Sequence, residues 1–374
     1  MLALTSLLEP AARARAFSNQ PELRRTLILS ELQAARVAAV QRVEPEEGMC
    51  SGLDRACELG VATADLIDLL RTGHAHWSLD SDSDKDFASD ETERKDGLVP
   101  YFFTRTRPAR RDDLYQRLAW HATDRATPLY SDTASTLEAD AAVVCHAAER
   151  AAAEETLSMY VLTTMPGHHA AADHYGGYCF VNWAALLVRL LEDAGRRPFV
   201  VDVDYHAGDG TAEILGPSKM VSLHCAEDYP YRSPEEPWAI ALPKQTTWAQ
   251  YEPRLREALA RRPPACGALC DPPHCRQTTF AIPFIHSVPD CCFILLSTDV
   301  LVVSLGLDAL AGDPDSRRGH GFALSIEDYG SMGALIRRAG LQTLVLQEGG
   351  YDLARVPSAV RAFISALGGG GTKL

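Results

Sequence analysis

The stretch Phe199 to Gly210, FVVDVDYHAGDG, constrains this chain more than any other. Phe199, Val200 and Val201, with Val203 one residue further on, form an apolar run that empties into a Gly-rich turn, as a buried parallel strand does. Side chains alternate across a strand, so Asp202, Asp204 and His206 are expected on one side where it ends. In open α/β sheets ligands bind beyond the carboxyl ends of the strands, and two carboxylates with an imidazole suit a divalent metal there. The plainer alternative is an Asp that caps the next helix beside a hydrogen-bonded core histidine.

Such a strand needs neighbours. Met159 to Thr163, Met220 to Leu223, Val300 to Leu305 and Leu341 to Leu346 are further short apolar runs, and helical stretches such as Trp183 to Ala194 and Ile326 to Ala339 separate most of them. The alternation predicts an α/β fold: a mostly parallel central sheet with helices on both faces, in three α/β/α layers. Polar chemistry follows the runs. MPGHHA (Met165 to Ala170), DYHAGDG, GLDALAGDP (Gly306 to Pro314) and QEGGYDL (Gln347 to Leu353) each leave a predicted strand at its carboxyl end. That repeated placement predicts a single active site.

With 374 residues, 46% of them hydrophobic, the chain has room for two ordinary domains or one large one. A formal charge of −14 argues against nucleic-acid or anionic-membrane partners and suits small cationic ligands, although solubility accounts for it equally. No apolar run reaches the roughly 18 residues that a bilayer span requires. Ten Cys without the spacing of a secreted scaffold point to reduced thiols, and a cytoplasmic setting is expected, with the nucleus or an organelle as alternatives.

Residues 1–20, with Arg13 and Arg15, read as a flexible N-terminus, either weakly transit-like or a frayed surface helix. Residues 21–42 have helical spacing behind Pro21, and a second helical stretch at about 53–71 ends before His74, which forms an HxH pair with His76 but has no acidic partner nearby. The Asp- and Ser-dense stretch at 80–93 reads as a solvated loop or as an acidic rim that attracts a polycation. A basic patch, RTRPARR, follows, and the Ala-rich run Thr133 to Ala153 reads as a helix capped by Asp132 or Ser131.

TMPGHHAAADHYGGYCFVN, FVVDVDYHAGDGTAEIL, LVVSLGLDALAGDP and LQEGGYDL together resemble the histone deacetylase and acetylpolyamine amidohydrolase superfamily. The wording is nearest the acetylpolyamine amidohydrolases, given WHATDRATPLYSDT and EGGYDLARVPSAVRAFISAL. The resemblance implies an arginase/deacetylase-like catalytic domain over 21–367. It also implies one zinc ion held by Asp204, His206 and Asp308, and a catalytic pair, His168 and His169, hydrogen-bonded by Asp202 and Asp209. Tyr351 would stabilise the oxyanion, and Gly177 and Tyr178 would wall a narrow channel. A structural potassium ion bounded by Asp202, Asp204, His206, Ser222 and Leu223 is implied as well. The relatives pair through a loop near 78–113, so a homodimer is expected.

This chain departs from the family pattern in three places. Ala207 replaces a second histidine, and by alternation it is expected to point away from the metal side. The loop after SLHC lacks the usual glycines, leaving Tyr229 or Tyr231 to supply the opposite wall. Residues 261–297 are an atypical insertion, of the kind that translated non-coding sequence would give. Its Cys266, Cys270, His274 and Cys275 match a zinc knuckle in residue type but not in spacing. The expected function is removal of an acyl group, acetyl first, from an amine nitrogen of a small cationic polyamine. A protein acetyl-lysine deacetylase and an inactive binding scaffold are the alternatives. A two-manganese ureohydrolase fits a single DxDxH less well.

Overall fold

A computed structural model of the chain describes residues 1–6, 20–44, 51–79, 97–100, 113–231, 236–262, 298–316 and 320–369. The strands are β1 (Leu2–Ser6), β2 (Ala39–Val43), β3 (Met159–Leu162), β4 (Pro198–Asp202), β5 (Met220–Cys225), β6 (Ala239–Leu242), β7 (Val300–Leu305) and β8 (Gln342–Gln347). They form one sheet, ordered β2-β1-β3-β8-β7-β4-β5-β6, in which every pair is parallel. The helices among the described residues are α1 (Pro21–Ala35), α2 (Gly52–Glu58), α3 (Ala64–Leu79), α4 (Leu114–His121), α5 (Thr133–Ala153), α6 (Trp183–Asp193), α7 (Asp209–Leu215), α8 (Trp248–Arg261), α9 (Ile326–Arg337) and α10 (Val356–Leu367).

The unbroken apolar runs have a direct cause: every residue of β4, β5, β7 and β8 is buried, because helices cover both faces of the sheet. Val200, Val302 and Leu344 face a core shared with α3, α5 and α6. Phe199, Val201, Leu301, Val303 and Val345 face a second core shared with α1, α8, α9 and α10. Each such Val, Leu or Phe contributes roughly 1.5–3 kcal/mol by leaving water, which is what selects the three-layer arrangement.

Strand register positions the site. Asp202 of β4 lies opposite Ser222 of β5 and Ser304 of β7, Ser304 lies opposite Leu346 of β8, and Leu346 opposite Val161 of β3. Strands β3, β4, β7 and β8 therefore end within a residue of one row, while β5 runs on to Cys225, and the segments that leave the four enter a common space.

Three local expectations are corrected. Residues 2–6 are an interior strand flanked by β2 and β3, with Ala3 and Leu4 fully buried, and not part of a flexible terminus. Five residues are too few for periodicity to reveal. The helix expected over 21–42 stops at Ala35, where Arg36 turns left-handed (φ 53°), and Ala39–Val43 continues as an edge strand on β1. The 53–71 stretch is two helices separated at Gly60 (φ 69°), and His74 and His76 lie inside α3, with the His74 ring against Trp77. Asp132 does occupy the position before α5, without a side-chain cap bond to the helix. The acidic stretch at 80–93, most of the 78–113 loop, residues 7–19 and the insertion from 263 to 297 lie outside the described residues.

Candidate active site

Asp204 and His206 leave β4, Asp308 leaves β7, and all three side chains are buried. Their ligand-type atoms lie within 4.8 Å of one another. His206 Nδ1 is 2.9 Å from Asp308 Oδ2 and 3.4 Å from Asp204 Oδ1. Backbone donors hold the turn. The amide of His206 donates to Asp204 Oδ1 at 2.8 Å, that of Asp204 to Asp202 Oδ1 at 3.0 Å, and that of Gly349 to Asp204 Oδ2 at 2.9 Å. A Cβ at Gly349 would lie 2.6 Å from Asp308 Oδ2 and 2.8 Å from Asp204 Oδ2, so glycine is needed for this approach.

The electrostatics of the three side chains call for a cation. Burial, reinforced by the charge of Asp204, pushes the Asp308 carboxyl up to about 8. Burial also disfavours charge on His206, yet Asp204 and Asp308 outweigh it and raise the imidazole well above its usual range. Two carboxylates and an imidazole converging in a buried site could hold a divalent metal, in chemistry as well as in spacing. Two other groups among the described residues have comparable spacing. In one, burial holds the Cys179 thiol well above its ordinary value, and the other, Asp173 with His174 and Glu213, is partly open to solvent.

The histidine pair follows β3. His168 Nδ1 meets Asp202 Oδ2 at 3.0 Å, His169 Nδ1 meets Asp209 Oδ1 at 2.8 Å, and the two ring centroids are 4.0 Å apart. The pair is electrically split. Burial works against charge on His168, but Asp204 and Asp202 raise it to about 10; burial, then the neighbouring His168, lowers His169 to about 4. Tyr351 follows β8, and its amide donates to Asp313 Oδ2 at 2.8 Å. Burial first, and then the charge of Asp315, raise its phenol well above 10, so the hydroxyl keeps its proton.

These groups line a cavity of about 240 Å³. Gly177 (φ 56°) and Tyr178 (φ 67°) form one wall, and a Cβ at Gly177 would lie 2.5 Å from His169 Cδ2. The left-handed Tyr178 is held by its amide bond to Thr127 Oγ1 at 2.9 Å. Tyr229 also lines the cavity, its ring centroid 4.9 Å from that of His169, whereas Tyr231 is 63% exposed. Ala207 is buried in the apolar core on the α5–α6 side.

All ten side chains or glycines singled out in the sequence thus gather in or against one pocket. Sequence reading passed over its carboxylates. Asp124, Asp228 and Asp315 also line the cavity, and Tyr178 Oη donates to Asp315 Oδ1 at 3.2 Å. Asp315 directly follows GLDALAGDP and Asp124 lies within WHATDRAT, so position relative to the motifs was the available signal. Buried Arg24 of α1, which donates to the Gly350 carbonyl at 3.3 Å and lies 5.7 Å from the Tyr351 ring, had none.

The profile of the histone deacetylase domain matches residues 81–261 and 276–367, so it breaks where the expected insertion begins and resumes at 276, inside that segment. Acetylpolyamine amidohydrolase 2 of Pseudomonas aeruginosa is 30% identical over 269 residues, which is 67% of this chain and 68% of that protein. Acetylpolyamine amidohydrolase 1 of the same organism is 29% identical over 306 residues, 78% of this chain and 76% of its own length. Histone deacetylase 8 of Arabidopsis thaliana is 26% identical over 233 residues, covering 56% and 53%. A crystal structure of acetylpolyamine aminohydrolase from Burkholderia pseudomallei superposes with a TM-score of 0.73 at 21% identity and covers 99% of both chains, the same fold. With the domain profile spanning most of its length, the chain belongs to the histone deacetylase family of amide-hydrolysing enzymes.

Proposed function

We propose that this protein is a zinc-dependent amidohydrolase that removes an acyl group, acetyl first, from an amine nitrogen of a small polyamine. One observation carries the substrate class: the pocket that holds Asp204 and His206 is also lined by Asp124, Asp228 and Asp315. A linear amide ending in an ammonium matches that arrangement, with its neutral end at the floor and its cation among carboxylates. The names of the two Pseudomonas relatives point the same way.

Asp204, His206 and Asp308 would hold the metal, which when bound polarises an amide carbonyl and acidifies water. His169, held neutral and tied through Nδ1 to Asp209, presents its other nitrogen as a proton acceptor. His168 holds a proton beside Asp202 and Asp204. Asp202 and Asp209 fix the ring orientations. Tyr351, still protonated, donates to the oxygen that gains charge as the carbonyl carbon becomes tetrahedral. Gly177, Tyr178 and Tyr229 exclude water along a slot that fits an unbranched alkyl amine. A potassium ion near Asp202 and Ser222, and pairing into a homodimer, belong to the same reading.

The test is to compare acetylspermidine, acetylputrescine and an acetyl-lysine peptide as substrates of purified, zinc-loaded protein. The polyamine amides should be turned over with the higher kcat/KM. Preference for the peptide would favour the protein-deacetylase alternative, and no turnover of any would favour the scaffold.

A further inference from the structure

The segment Thr164 to His168, which ends on the first histidine of the pair and leads directly into His169, has four backbone N–H groups, since Pro166 has none. All four go to buried carboxylates brought from far along the chain. Asp140, in the middle of α5, accepts from Thr164 at 2.8 Å through Oδ1 and from Met165 at 2.9 Å through Oδ2. Glu348, just after β8, accepts from Gly167 at 2.7 Å and from His168 at 3.2 Å, both through Oε2. The carbonyls are engaged as well. Trp183 Nε1 donates to Met165 O at 3.0 Å, and the Thr211 amide donates to His168 O at 3.1 Å. Asp140 and Glu348 are both completely buried.

We propose that Asp140 and Glu348 are positioning residues for the hydrolysis assigned above: by clamping the backbone of 164–168 from both ends they aim the rings of His168 and His169. The inference rests on that assignment for its kinetic consequence, but not for its structural one. Burying a carboxylate is unfavourable unless its oxygens are hydrogen-bonded, and a simple chain reversal does not need two of them. Charge-assisted bonds to backbone amides are about twice as strong as neutral ones and leave the loop little freedom. Neither residue touches the pocket, so each acts only through the segment it holds.

The two clamps differ in a way that can be tested. Asp140 uses both oxygens, so in Asp140→Asn an NH2 group must face one of the two N–H donors and a bond is lost. Glu348 uses Oε2 for both donors, and Oε1 has no hydrogen-bond partner among the described residues, so Glu348→Gln can keep both bonds by placing its amide oxygen at the Oε2 position. Asp140→Asn should lower kcat on the order of a hundredfold, the cost of about 1 Å of misplacement, with KM and bound zinc unchanged. Glu348→Gln should stay within about threefold of the parent, whereas Glu348→Ala should fall with Asp140→Asn.

Amide hydrogen exchange of the unaltered protein supplies a reading independent of turnover and of variant folding. The N–H groups of 164, 165, 167 and 168 should exchange only through global opening, and those of 164 and 165 should become fast in Asp140→Asn while β4 and β7 stay protected. Fast exchange of the four in the parent protein would overturn the clamp. So would a kcat loss in Asp140→Asn that merely tracks the unfolded fraction, or a Glu348→Gln as damaged as Glu348→Ala. If the parent hydrolyses no acylated amine the functional assignment fails, and exchange alone decides for or against the clamp.

Discussion

Asp315→Asn should separate charged from neutral substrates. Its carboxylate lines the cavity and accepts a 3.2 Å hydrogen bond from Tyr178, which an Asn oxygen can also accept, so the wall of the slot is preserved. An ammonium about 4 Å from a carboxylate gains about 1 kcal/mol in water and about 4 kcal/mol at an effective dielectric constant near 20. A partly buried group lining a pocket lies between these limits, so loss of the charge should cost about 2 kcal/mol, or about 30-fold in kcat/KM. The assay pairs acetylputrescine with N-pentylacetamide, in which a methyl group replaces the ammonium on the same alkyl chain. The charged substrate should lose the full factor, less at high ionic strength, and the neutral one should change little. An equal loss for both, or none for either, would refute the electrostatic reading of the pocket carboxylates.

Tyr351→Phe removes only the hydroxyl, since the bond of its amide to Asp313 and the ring contact with Tyr178 remain; kcat should fall about 10²–10³-fold while zinc content and melting temperature hold. Chelation should abolish turnover and lower the melting temperature, zinc should restore both, and Asp308→Asn, checked by metal analysis after dialysis, should fail to retain stoichiometric zinc. Burial raises Glu348 from 4.5 to about 7, so the folded protein binds a proton that the unfolded chain releases. That contribution is complete below about pH 4.5 and lost as pH rises through 7, so Glu348→Gln should gain about 3 kcal/mol on wild type across this window in urea titrations. Deleting 264–296 should leave solubility equal or better; failure to fold would show that the segment belongs to the domain.

How much could be read in advance followed from where information is concentrated in the chain. Strands buried on both faces are written as continuous apolar runs, so β3, β4, β5, β7 and β8 were legible to within a residue or two, together with the motifs at their ends. Strands β1, β2 and β6 have four or five residues each, and β2 is mostly unburied, so none shows a periodic signature. Asp204, His206 and Asp308, proposed to hold a metal, and the two histidines announce themselves by residue type. Asp140 and Glu348 do not: one is a lone acid inside an Ala-rich helix and the other a neighbour of a glycine pair. Their common task exists only once residues some two hundred positions apart are folded together.

The order of strands across the sheet also governs when the enzyme becomes whole during synthesis. Strands β2, β1 and β3 lie to one side of β8, and β7, β4, β5 and β6 to the other. His168 and His169 leave the first group, while Asp204, His206 and Asp308 leave the second. The strand that joins them, residues 342–347, is the last of the eight to be synthesised, and Tyr351 follows it. A nascent chain stopped short of it would hold two unjoined half-sheets with exposed apolar edges, as a chaperone client does, and the segments that carry His168 and His169 would share no floor with those that carry Asp204, His206 and Asp308.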